Sequence, residues 1–246
     1  CDPMQDQDLA RRLVGCLDLT DLNDNCTQGD ITALIARAQT QVGPVAAICI
    51  WPRFVAYARG LAGDSIRIAT VVNFPSGTAD IGASVEESAQ AIADGADEID
   101  YVLSRAGTMA EVSAMRDACQ GRTLKIILET GEREGAAAIA RVAQVALEGG
   151  ADFIKTSTGK TPTGATPEAV AVMLDVLRRS GRAAGIKPSG GIRGFADAQR
   201  YFDMAEAAMG TGWVGPGTFR LGASSLLIDL LAVAEGKPAS ESREGY

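Results

Sequence analysis

None of the chain's 246 residues is histidine. That absence excludes Ser-His-Asp and Cys-His triads, which need an imidazole as general base. It also excludes HExxH zinc proteases and any histidine-ligated catalytic zinc. A carboxylate-bound Mg²⁺ stays open, but no clustered Asp/Glu motif calls for one, and no metal or cofactor is expected. Acid–base work falls to Lys, Asp, Glu, Cys or Tyr. No apolar run is long enough to cross a bilayer, and no signal peptide is read, so no membrane partner is expected. Five cysteines are an odd number without a paired framework. They fit a reduced, cytoplasmic protein better than a secreted disulfide scaffold. Cationic residues are the scarcer sign: 23 Lys and Arg against 31 Asp and Glu give a formal charge of −8. This argues against nucleic acid as a partner, because such binding rests on neutralising phosphates. An anionic small substrate would need a local cationic pocket.

The 46% of hydrophobic residues fall into a repeating pattern. Strand-like runs at 14–19, 45–50, 66–72, 98–102, 123–128, 152–155, 184–187 and 208–211 alternate with alanine-rich helical segments such as 84–93, 108–119, 134–148 and 167–179. "GADEID" and "GGADFIK" are helix-end glycines running into strands. Eight alternating units at this length predict an α/β fold, a single (β/α)₈ TIM barrel over 1–235. A doubly wound open sheet is the alternative, disfavoured because no GxGxxG opens a helix after the first strand. An additional N-terminal helix at 6–13 is expected to close the barrel bottom. The polar tail 236–246 reads as a flexible end.

Barrel chemistry sits at the C-terminal strand ends. There the sequence offers Asp18, Cys49, Asn73, Asp100, Glu129, Lys155 and Lys187. Strand alternation also turns Lys125 inward. Lys155 and Lys187 are about one βα unit apart, which predicts neighbouring strands roughly 5 Å apart. Two ammonium groups so close in a partly desolvated site favour loss of one proton, and a neutral lysine is a nucleophile for carbonyls. The plainer reading is that both lysines snorkel to solvent or pair with carboxylates. Two on adjacent strands with Asp100 nearby favour function. Cys49 is read as facing the site, dispensable for catalysis and open to aldehydes formed at the lysine, although a small core residue is the commoner fate of a free cysteine.

Three loops carry a phosphate signal. "SGGIRG" (189–194) follows the seventh strand, "LGASS" (221–225) follows the eighth as read here, and "TGK" (158–160) adds Lys160. Glycines expose backbone N–H groups, and Ser224 and Ser225 open a short helix whose N-terminus attracts anions. Each loop alone is an ordinary turn; together they point to one phosphate.

"DLT" with Asn23, "AAICIWPRF", "VNFPSG", "ADEIDYV", "KIILETGE", "FIKTSTG", "IKPSGGIRG" and "FRLGASSLL" together resemble the deoxyribose-phosphate aldolase family, in the right order over about the whole chain. The resemblance implies a metal-independent class I aldolase on a (β/α)₈ barrel. It implies reversible cleavage of 2-deoxy-D-ribose 5-phosphate to acetaldehyde and D-glyceraldehyde 3-phosphate, a step in deoxyribonucleotide catabolism. It places the Schiff-base lysine at Lys155, the assisting lysine at Lys187 and the proton relay at Asp100, with the iminium expected to drive C3–C4 cleavage. Phosphate contacts fall on Gly159, Lys160, Gly190, Gly191, Ile192, Gly222, Ser224 and Ser225. Substrate-hydroxyl contacts fall on Asp18 and Thr20, and Lys125 joins the polar network. Relatives of this family are often dimeric, so a homodimer is expected. They often end in a tyrosine that folds over the barrel mouth, which makes Tyr246 an expected extra proton carrier. Two other classes stand beside the aldolase. A phosphosugar isomerase needs a base but no covalent lysine, and a sugar-phosphate binding protein needs neither.

Overall fold

Eight parallel strands alternate with helices around a barrel in the computed structural model, which describes residues 2–239. The strands are β1 (Leu17–Asp21), β2 (Ala47–Ile50), β3 (Ile68–Val72), β4 (Glu98–Val102), β5 (Thr123–Ile127), β6 (Phe153–Lys155), β7 (Gly185–Lys187) and β8 (Leu221–Ala223). Their lateral order is β8-β1-β2-β3-β4-β5-β6-β7. Bridges Ile186–Phe219 and Ser189–Gly222 join the two ends and close the barrel. The intervening helices are α2 (Gln28–Ala38), α3 (Val55–Ala62), α4 (Ile81–Ala93), α5 (Met109–Cys119), α6 (Gly135–Glu148), α7 (Pro167–Ser180), α8 (Phe195–Met209) and α9 (Leu226–Ala234). A two-residue hairpin, Gln39–Thr40 with Gly43–Pro44, lies between α2 and β2. Among the described residues no helix is long and apolar enough to cross a membrane.

Strand alternation divides the residues cleanly. Ile48, Ile50, Ile68, Ile99, Ile126, Ile154 and Ile186 face the helices and are fully buried in the main core. Each such side chain contributes about 1.5–3 kcal/mol of transfer free energy. The inward residues are a different set that includes Asp18, Cys49, Asp100, Lys125, Lys155 and Lys187, all buried.

Helix α1 (Pro3–Val14) packs on α9, and Arg12 donates to Val214 O in the loop that leads into β8. The additional helix therefore lies towards the N-terminal ends of the strands, as expected, but starts three residues before the predicted 6–13 and ends one residue after it. As a result β1 starts at Leu17 rather than at residue 14. The largest departure is the eighth strand. Residues 208–211 are the last turn of α8 and the turn after it, because Phe195, Ala198, Tyr201 and Ala205 continue one buried helical face. The true β8 is the "LGA" that the sequence analysis placed in the following loop. Tyr246 and most of the predicted tail lie outside the described residues.

Candidate active site

The inward residues of β1 and β4–β7 meet in one buried ionic network. Lys155 and Lys187 are Cα partners in the register of β6 and β7. Lys155 Nζ donates to Asp100 Oδ2 at 2.9 Å, and Lys187 Nζ donates to the same oxygen at 2.9 Å. Lys187 also donates to Asp18 Oδ2 at 2.7 Å, and Lys125 donates to that oxygen at 2.9 Å. Lys125 further lies 2.8 Å from Glu98 Oε1 and 3.0 Å from Asp100 Oδ1. The last contact is electrostatic only, since Asp100 Oδ1 has no hydrogen-bond partner. Oδ1 of the central carboxylate is thus held by the charge of Lys125 and not by a hydrogen bond.

These surroundings drive the two lysines in opposite directions. At Lys155 burial is the largest influence and pulls the pKa down; Asp100 opposes it, Lys187 adds to it, and the net value is lowered. The neighbouring ammonium is therefore a contributor, with desolvation ahead of it. At Lys187 burial also pulls down, but Asp100 and Asp18 outweigh it and the pKa is raised. Burial works to raise Asp100, yet Lys125, Lys155 and Lys187 hold its carboxyl well below the usual range. Lys125 resists burial in the same way, held well above its ordinary value by Asp100, Asp18 and Glu98.

Two short hydroxyl chains fix the lysine strands. Ser189 N–H donates to Thr156 Oγ1 at 3.0 Å, Thr156 Oγ1 donates to Ser189 O at 3.0 Å, and Ser189 Oγ donates to Ser157 O at 2.6 Å. The residues just beyond Lys155 and Lys187 are thereby tied together. Glycine keeps the space clear on the other side. A Cβ on Gly222 would lie 3.0 Å from Lys187 Cε and 2.8 Å from Ser189 Cβ.

Above this network opens a cleft of about 250 Å³. Lys155, only 3% exposed, reaches its floor. Thr20, Gly159, Lys160, Gly190, Gly191 and Ile192 line it, together with Gly222, Ser224 and Ser225. Gly159, Gly190 and Gly191 have φ of 78°, 84° and 78°, a left-handed backbone that favours glycine. Helix α9 begins beside Ser225 without a side-chain cap, so its first N–H groups and dipole are available to an anion. Exposed Arg193 adds a cation that the sequence analysis did not single out. In this structure Lys160 Nζ donates to Leu22 O at 2.6 Å across the mouth. A larger cleft of about 380 Å³ lies beyond Lys160, between Pro75, Val102 and Arg133. It does not reach Lys155, and Arg133 is committed to the carbonyls of Leu128, Arg105 and Ser104. Of the two, the smaller cleft is the one that Lys155 and the glycine loops line.

The chain belongs to the DeoC/LacD family of aldolases. That family matches residues 13–228. This aldolase is 47% identical to a deoxyribose-phosphate aldolase from Agrobacterium fabrum, over 98% of this chain and 97% of the relative. Its fold is similar to that of a Toxoplasma gondii protein assigned as a deoxyribose-phosphate aldolase, with a TM-score of 0.88, 26% identity, and coverage of 96% of this chain and 98% of that one. A Coccidioides immitis protein with the same assignment gives 0.78 at 29% identity, covering 88% and 83%.

Several expected positions are corrected by the aldolase's structure. Asp18 is not at a strand tip: it is the second residue of β1, level with Ala47 and Gly222, and fully buried. The late start of β1 puts it deep in the barrel, where it serves Lys125 and Lys187. Thr20, two residues on, is the one at the cleft. Cys49 has no accessible surface and packs with Leu22, Ala47, Ala69 and Val71. Burial raises its thiol pKa, so the expected exposure to aldehydes is absent. Asn73 and Glu129 leave the predicted polar ring for structural duties. The Asn73 amide donates to Thr78 O and Val102 O, and Glu129 accepts from Thr158. Two network members went unread in the sequence, Glu98 and Arg220. Alternation from Asp100 and Gly222 points to both.

Proposed function

We propose that this chain is a class I aldolase that reversibly cleaves 2-deoxy-D-ribose 5-phosphate to acetaldehyde and D-glyceraldehyde 3-phosphate. The observation that carries the reading is the buried lysine pair around one aspartate oxygen, with Lys155 lowered and Lys187 raised. Neutral Lys155 Nζ attacks C1 of the open-chain sugar. Loss of water from the carbinolamine leaves an iminium, which draws the electrons of the breaking bond. That bond is C2–C3, not the C3–C4 expected above, because acetaldehyde carries only C1 and C2. A base removes the C3 hydroxyl proton as C3 becomes the aldehyde of glyceraldehyde 3-phosphate. The enamine left on Lys155 is then protonated at C2 and hydrolysed.

Asp100 sits where it can pass protons between Lys155 and Lys187, both of which donate to its Oδ2. Lys187 stays an ammonium, and its charge favours the amine form of Lys155. Asp18 and Lys125 hold Lys187 and Asp100 in place, and Thr20 offers a hydroxyl at the cleft. Phosphate seats on the glycine loops, Lys160, Ser224, Ser225 and the start of α9. That binding energy is remote from the reacting carbons and helps orient them. Work in the cytoplasm, in deoxyribonucleotide breakdown and as a homodimer belongs to the same reading. The test is borohydride reduction in the presence of substrate, followed by peptide mass spectrometry. The reduced adduct is expected on Lys155; full trapping at another lysine overturns the assignment.

A further inference from the structure

The floor beneath the lysines is ionic where a barrel floor is ordinarily branched and aliphatic. Arg220, just before β8, donates through Nη1 to Asp18 Oδ1 and Glu98 Oε1, both at 2.8 Å, and through Nη2 to Glu98 Oε2 at 2.9 Å. The Phe153 ring covers its guanidinium at 5.2 Å. Glu98 and Asp18 are fully buried, and the Arg220 side chain is 6% exposed. Buried ion pairs of this kind often add little stability over apolar packing of the same volume. Their presence calls for another reason.

Counting the buried charges supplies one. The cations Lys125, Lys187 and Arg220 face the anions Asp18, Glu98 and Asp100, three against three. Lys155 is the fourth cation, and among the described residues no fourth carboxylate joins this network: buried Glu129 accepts from Thr158, Glu111 from Ser104 and Asp229 from Phe195 N–H. Arg67 also reaches Glu98 at 2.9 Å, but its side chain is 53% exposed and solvent screens it. Among the described residues, the remaining strands around Lys155 add Cys49 from β2, while β3 contributes Ala69 and Val71, which do not titrate.

We propose that Glu98 and Arg220 are positioning residues that balance the buried charge beneath Lys155, so that Lys155 is the one cation left free to be an amine. This rests on Lys155 being the Schiff-base residue. Neither residue touches the cleft. Arg220 acts on Asp18, which holds Lys187, and Glu98 acts on Lys125, which faces Asp100. A balanced floor also leaves the iminium, a fixed cation on the same nitrogen, without a surplus counter-charge, and an unneutralised iminium accepts electrons more readily.

The experiment follows the pH dependence of acetaldehyde trapping by cyanoborohydride at the Lys155 peptide, in folded protein checked by circular dichroism. Glu98→Gln keeps the shape and leaves one uncompensated positive charge; the trapping midpoint is expected to move down by about one pH unit. Arg220→Met leaves one uncompensated negative charge, and the midpoint is expected to move up by a similar amount. The Glu98→Gln/Arg220→Met double variant restores the count and is expected to return close to the parent, as is the charge-conserving Arg220→Lys. Shifts of the same sign in the two single variants, or an unmoved midpoint in Glu98→Gln alone, overturn the proposal. Failure of the parent protein to form any adduct at Lys155 overturns the underlying reading instead.

Discussion

On β2 and β3 the side chains that enter the barrel are small and apolar, Ala47, Cys49, Ala69 and Val71, packed with Leu22, Trp51 and Phe74. On β4 to β7 they include Glu98, Asp100, Lys125, Lys155 and Lys187, and each of these ammonium groups, like the Arg220 guanidinium before β8, meets a carboxylate within 3.0 Å. The apolar side asks for little more than volume, and volume-conserving changes there are tolerated. The charged side asks for a partner at each buried atom, so removing one group strands another. One barrel thus has a forgiving wall and an exacting wall, with Lys155 on the second.

The hardest test of that contrast is Lys155→Ala. Turnover is expected to fall to background, about 10⁴-fold or more, since no other group supplies the covalent electron sink. Borohydride trapping should vanish while the circular dichroism spectrum stays. Lys187→Leu comes next. It strands Asp18 and Asp100, so urea denaturation is expected to show a loss of about 3–5 kcal/mol. It also removes the cation that helps lower Lys155. A group with a depressed pKa is active as the amine above that value, so the acidic limb of the pH–rate profile should move to higher pH in this variant. A limb that does not move would remove Lys187 from that role.

Ser225→Asp probes the cleft rather than either wall. The new carboxylate opposes an anion at the start of α9, and KM for the phosphorylated sugar is expected to rise about tenfold or more. Non-phosphorylated deoxyribose should be nearly unaffected, and equal losses on both would place the phosphate elsewhere. The smallest effect belongs to the forgiving wall. Cys49→Ala is expected to change turnover by less than about tenfold and to cost on the order of 1 kcal/mol in denaturation, the scale of a small core truncation. A collapse of activity in that variant would erase the distinction between the walls.

Much of this was legible in the sequence because strand alternation is strict. The same two-residue period that put Ile48, Ile126 and Ile154 outward put Cys49, Lys125 and Lys155 inward. The eighth strand was not legible: it has three residues, its centre is glycine, and the apolar run before it belongs to α8. Arg220 was lost with it. Glu98 was lost for another reason. A charged residue opening a strand reads as a solvent-facing end, and only its contacts with Arg220 and Lys125 reveal that it lies at the bottom of a closed interior. Asp18 carried the right residue type to the wrong depth, because the apolar end of α1 runs into β1 with no polar break between them.

The seam between β7 and β8 has a temporal consequence. Across it Ile186 N–H donates to Thr218 O, Arg220 N–H to Ile186 O and Gly222 N–H to Pro188 O. Asp18 and Arg220, which meet beside this seam, are 202 positions apart along the chain. Contacts of such long range are made late, after the loop-closure entropy of the intervening chain has been overcome. A chain whose first seven strands have paired still has Lys187 at an open edge, wet and without its full set of neighbours. Its Lys155 is then expected to stay charged. With Lys155 as the proposed Schiff-base residue, the amine is expected to become reactive only when the last stave is set, and the onset of aldehyde labelling at Lys155 during refolding should mark the moment of barrel closure.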